Sequence, residues 1–151
     1  MKKKKLLLNQ LESKLESFSK VSVATPPTGW IRGIRTSLGM TLQQLAIKLN
    51  VTKQSVQELE IREKEGTITI KTLREAGRAL DLEFVYGFVP KDGSLEKYIE
   101  KKAYILAKKI VSRTSDTMKL EDQENSKQRI DKAIEERMLT LKEDLPKALW
   151  D

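Results

Sequence analysis

Thr41-Leu-Gln-Gln-Leu-Ala-Ile-Lys-Leu-Asn50-Val-Thr-Lys-Gln-Ser-Val-Gln-Glu-Leu-Glu60 is the stretch whose spacing decides how this chain folds. Leu42, Leu45, Ala46 and Leu49 fall on one face of a short helix that Thr41 caps. Small Ala46 sits where two helices must cross closely. Asn50 follows the last turn, and Asn tolerates the left-handed conformation that a tight helix–helix connection needs. Thr52 then caps a second helix with Val56 and Leu59 on its inner face. Its outer face is polar: Lys53, Gln54, Ser55, Gln57 and Glu58. Two helices joined this tightly form a helix-turn-helix, whose second helix can lie in the major groove of DNA.

The residue types on that outer face suit base readout. Gln pairs in bidentate fashion with adenine, Lys reaches guanine O6 and N7, and Glu accepts from cytosine N4. Each good pair of this kind discriminates by about 1–3 kcal/mol. Thr52 and Ser55 are short enough to touch phosphate or a thymine methyl without blocking the approach. Thr41, Gln43 and, at the start of the next helix but one, Lys71 complete the expected DNA-contacting set. Polar residues on a helix are usually a solvated face and nothing more. Here the cap, the small residue, the turn residue and the second cap fall in register, which favours the DNA reading.

Outward from this core the chain divides into three expected segments. Residues 1–29 hold a basic amphipathic helix, Lys5 to Ser19, with Leu8, Leu11, Leu15 and Phe18 spaced 3, 4 and 3 apart. A linker from Val21 to Gly29 contains Pro26-Pro27 and ends regular structure. Residues 30–90 carry four short helical patterns, then Leu82–Val89, where large apolar residues alternate as in a strand. Residues 91–151 form a helical extension, with one helix from Ser94 to Arg113 capped by Ser94. A last helix runs through Ile130, Ile134, Met138, Leu141 and Leu145 and stops at Pro146. Trp30 is expected to anchor the first helix of the middle block. For Trp150, docking on the last helix and docking on a partner stay open.

Composition narrows the function classes. The 151 residues include 29 Lys+Arg and 22 Asp+Glu, a net charge of +7, and neither His nor Cys. Ser–His and Cys–His nucleophiles, disulfides and nearly all transition-metal sites are thereby excluded. No catalytic residue, cofactor or metal is expected, and the chain does not read as an enzyme. The lysine run Lys2–Lys5 leading into Leu6-Leu7-Leu8 starts like an export signal, but Asn9-Gln10 cuts the apolar run short. A cytoplasmic protein with no membrane span is the expectation. The basic excess is uneven: +4 in residues 1–29, +2 in 30–90 and +1 in 91–151. Such an arm attracts nucleic acid by displacing counterions, and is also a common solubility feature.

Thr41–Glu60 resembles the helix-turn-helix of lambda-type phage repressors and Cro proteins, the Xre-like class. Thr52-Lys-Gln-Ser-Val-Gln-Glu-Leu-Glu60 is similar to its recognition helix. The resemblance implies an ion pair between an Arg of the first helix and the Glu ending the recognition helix; Arg35 and Glu60 stand at those positions, as a structural brace. Lys53 stands where some phage repressors carry Gln, so their operator preference does not transfer.

A second resemblance spans nearly the whole chain. Gly29-Trp-Ile-Arg-Gly-Ile-Arg35, Leu38-Gly-Met-Thr41, Gly66-Thr-Ile-Thr-Ile-Lys-Thr-Leu73, Val85-Tyr-Gly-Phe-Val-Pro90, Thr117-Met-Lys-Leu-Glu-Asp-Gln123 and Leu149-Trp150 are similar to the family called mobile mystery protein A. That resemblance implies a bacterial regulator on mobile DNA, encoded beside a Fic-domain partner, mobile mystery protein B. Fic enzymes usually transfer AMP to hydroxyls, so the pair resembles a toxin–antitoxin module. Antitoxins that block Fic enzymes directly carry Ser/Thr-x-x-x-Glu-Gly/Asn. Thr117-x-x-x-Glu121 is followed here by Asp122, and Leu120-x-x-x-Glu124-Asn125 lacks the hydroxyl. Neither run completes that motif.

The expected fold is therefore mainly α: a lambda-repressor-like helix-turn-helix domain with one short strand and appended terminal helices. A lone strand has nothing of its own to pair with. Pairing through Phe84, Val85, Tyr86 and Phe88 with a second copy would give a twofold homodimer, as in some Xre-like antitoxins. The favoured function is a repressor of its own operon, binding double-stranded DNA at a palindromic operator and serving as the antitoxin of a Fic-type module. The rival is an interaction protein whose terminal helices sequester the Fic-domain partner, with DNA binding secondary.

Overall fold

A computed structural model describes residues 2–21, 23–115 and 123–151. It is mainly helical, with seven α-helices and one 3-10 turn among the described residues. These are α1 (Lys2–Ser19), α2 (Trp30–Ser37), α3 (Leu42–Leu49), α4 (Lys53–Glu65), α5 (Ile70–Ala79), α6 (Leu95–Ser115) and α7 (Gln123–Asp144), followed by the turn Lys147–Trp150. The chain splits into two compact units, Ser22–Tyr86 on one side and Met1–Val21 with Gly87–Asp151 on the other. The amphipathic helix α1 thus groups with the C-terminal helices instead of standing alone. No helix among the described residues is long and apolar enough to cross a membrane.

In the first unit, α2 to α5 close around Ile31, Leu45, Ala46, Val56 and Ala76, with Met40, Leu42, Leu49, Leu59, Ile68 and Leu73 packed against them. Leu45 and Val56 are fully buried, and burying each stabilises the unit by about 1.5–3 kcal/mol. Ala46 is also fully buried, and its lack of bulk lets α3 and α4 approach. The first helix of this unit has only Gly29 at its N-cap, at φ 87°, and no cap of its own. Glu63 supplies one from α4: the amides of Trp30 and Ile31 donate to its Oε2 and Oε1 at 2.7 and 2.8 Å. Trp30 does not anchor α2 as expected. Its surface is 42% exposed against 4% for Ile31, because the helix turns the isoleucine inward one step later.

In the second unit, α6 and α7 pack on each other. Ala103 and Ala107, one turn apart, are fully buried and meet Ile134, Leu141 and Leu149. Ser94 caps α6, its hydroxyl accepting from the Lys97 amide at 3.1 Å. Glu12 of α1 adds a second cap, accepting from the Leu95 and Glu96 amides at 2.8 and 3.1 Å. Those free first-turn amides attract any carboxylate within reach. The last long helix stops before Pro146 as expected, with Leu145 turned into the left-handed region at φ 46°. Trp150 stacks on Tyr98 of α6, ring centroids 5.5 Å apart.

One expectation fails. Leu82–Val89 forms no strand, and there is none among the described residues. Strand structure exists only through a ladder, and a helical chain taken singly offers this segment no second strand. The side-chain alternation leaves a trace: Phe84 and Tyr86, two residues apart, stack with centroids 5.8 Å apart. Phe88, Val85, Val89 and Tyr86 stay exposed, Phe88 at 80%.

Candidate nucleic-acid interface

The turn between α3 and α4 is built as its residue types require. Asn50 adopts φ 57°, ψ 43°, and its amide closes the end of α3 onto the Ala46 and Ile47 carbonyls. Thr41 and Gln44 form a reciprocal capping box at the start of α3: the Gln44 amide donates to Thr41 Oγ1 at 3.1 Å, and the Thr41 amide to Gln44 Oε1 at 2.8 Å. Thr52 caps α4, accepting from the Ser55 amide at 3.1 Å, and its hydroxyl lies 2.8 Å from that of Ser55. These bonds fix the start of α4 without using any group of Lys53 or Gln54.

A buried ion pair holds α4 from behind. Arg35 Nε lies 3.2 and 3.1 Å from Glu60 Oε1 and Oε2, and Arg35 Nη2 lies 2.8 Å from Oε1. Arg35 Nη1 donates to the Met40 carbonyl at 2.9 Å. Arg35 is 9% exposed and Glu60 6%. The planar guanidinium satisfies the carboxylate in bidentate fashion, so α2 and α4 keep a fixed angle. The brace implied by the resemblance is present.

The DNA-contacting candidates fall into four groups. Lys53 and Gln54 are exposed on the first turn of α4, beyond both caps. Ser55 and Glu58 line a groove of about 250 Å³ with Thr67, Thr69 and Thr72, between α4 and the start of α5. Gln57 turns the other way, lining a second groove of about 250 Å³ with Arg32, Glu60 and Lys64. Gln43 is exposed on α3 and Lys71 on the first turn of α5, which Thr69 caps through the Thr72 amide at 3.1 Å. Glu58 faces Arg62 at 3.9 Å, both largely in solvent, a pair worth little in this setting. Thr41 and Thr52 thus act as the helix caps that their spacing predicts, and the Ser55 hydroxyl lies against that of Thr52.

The sequence reading missed Gln44, Glu63 and the basic pair Arg32 and Lys64. For Gln44 the signal was there, since Thr41-x-x-Gln44 is the capping-box spacing. Glu63 gives no local signal, because the helix it caps begins 33 residues earlier in the chain. The Thr117–Glu121 run and Asp122 lie outside the described residues, as does all of the Thr117–Gln123 block before Gln123. No family model, curated protein or solved structure matches the chain.

Proposed function

We propose that the chain is a sequence-specific DNA-binding repressor of the lambda-repressor-like class, with α4 as its recognition helix, acting on its own operon as the antitoxin of a Fic-type module. The observation that carries this reading is the register of the α3–α4 pair. Two caps, a left-handed Asn and a buried Arg35–Glu60 brace converge to present one polar helix face. The operon and the Fic-domain partner, mobile mystery protein B, rest on the family resemblance. Dimerisation completes the reading: Leu82–Val89 pairs with its copy, which supplies the ladder that the single chain lacks.

A second reading has its own observation. Leu6, Leu7 and Leu11 on α1 and Leu139 on α7 are exposed, Leu139 at 59%, and such residues on terminal helices fit a role in holding a partner protein. One chain can hold both roles.

Base readout is tested by substitution on an operator selected from random duplexes. Lys53→Ala or Gln54→Ala should cost about 1–3 kcal/mol on that operator and relax preference at the facing base pair. Lys71→Ala should weaken every sequence alike, because a phosphate contact carries no sequence information. Operator binding unaltered by both Lys53→Ala and Gln54→Ala would remove α4 from the interface.

A further inference from the structure

We propose that Lys2–Lys5, at the head of α1, form a second nucleic-acid contact that holds the phosphate backbone without reading sequence; this rests on the DNA-binding reading above. All four lysines are exposed, and none forms an ion pair with a described residue. The first acidic residue along α1 is Glu12, about 10 Å of helix beyond Lys5 at 1.5 Å per residue. Its carboxylate is already engaged by the Leu95 and Glu96 amides. No acidic residue of α1 therefore lies within a Debye length of about 8 Å of the run.

The block carrying α4 is electrostatically weak by comparison. Residues 30–90 hold nine basic and seven acidic groups, whereas residues 1–29 hold six and two. Of those nine, Arg35 is buried against Glu60 and Arg62 faces Glu58. Non-specific affinity follows the number of phosphates neutralised, and the four-lysine run adds such charge outside the helix proposed to read bases. A lipid surface suits the run less well. Successive helical residues step by 100°, so four consecutive lysines encircle α1 and leave its first turn no uncharged face to bury. A polyanion meets such a ring from any side.

The test uses the full chain with Lys2, Lys3, Lys4 and Lys5 all changed to Gln, and a companion with all four changed to Arg. Affinities for a random-sequence duplex and for the selected operator are measured between 50 and 200 mM salt. For the Gln variant, the slope of log K against log salt should become shallower by about 2–4 on both duplexes. Affinity at 100 mM salt should fall about 10- to 100-fold on both, with the operator-to-random ratio unchanged. The Arg variant should keep the wild-type slope. A wild-type slope in the Gln variant would overturn this proposal alone, as would lost binding to phosphatidylglycerol vesicles with DNA binding unchanged. Wild-type protein that binds no duplex at all would overturn both this proposal and the DNA reading beneath it.

Discussion

Arg35→Ala should destabilise the Ser22–Tyr86 unit by about 3–5 kcal/mol, the cost of leaving a buried carboxylate without its counter-charge. The substitution strips Glu60 of three contacts within 3.2 Å and leaves the Met40 carbonyl without its donor at 2.9 Å. With Glu60 only 6% exposed, water cannot replace them without opening the helix packing. Arg35→Lys should recover only part of the loss, since an ammonium cannot reproduce the fork. Removing both partners together, as Arg35→Met with Glu60→Leu, should cost less than Arg35→Ala, because no charge is then stranded. Thermal and urea melts report the result. A melt of Arg35→Ala that matches wild type would mean that the pair contributes nothing to holding α4.

The second large effect concerns assembly. In the twofold dimer proposed above, Val85→Pro should break the pairing and leave a monomer that has lost affinity for a palindromic operator by a hundredfold or more, roughly 3 kcal/mol, while its helices stay folded. Within the single chain the substitution is harmless: the Val85 amide donates to no described residue, and its side chain is 68% exposed. Across a ladder it matters, because Pro removes a donor. Only alternate residues donate to a given neighbour in an antiparallel pair, so Tyr86→Pro is the necessary companion, and one of the two must interrupt the pairing. Light scattering and operator titration together decide. Stable dimers of both variants would place the contact on the leucines of α1 or on α6 and α7 instead.

Local rules made much of this fold legible. Thr41, Asn50 and Thr52 act within three or four residues of their own position, so spacing alone located the α3–α4 turn. The α6 cap at Ser94 and the stop at Pro146 are local in the same sense. Segment 82–89 forms no strand in the single chain for the opposite reason: alternation describes side chains, whereas a strand also needs a partner backbone. The trans caps by Glu63 and Glu12 were invisible because nothing near either glutamate in sequence shows which helix start it will meet. Trp30 was misplaced because size suggested burial, whereas helix phase gave the inward position to Ile31. On α4, spacing shows which residues lie opposite the inner Val56 and Leu59 but not that Gln57 and Glu58 line different grooves.

Whether α4 reads an operator of its own gene is decided by footprinting the DNA upstream of the protein's coding sequence. A protected inverted repeat is expected, with half-site centres about 34 Å apart, one helical turn on the same face of the duplex. That protection should disappear with Lys53→Ala and Gln54→Ala combined. Uniform protection of any duplex, or none at concentrations where the chain is folded and dimeric, would contradict it.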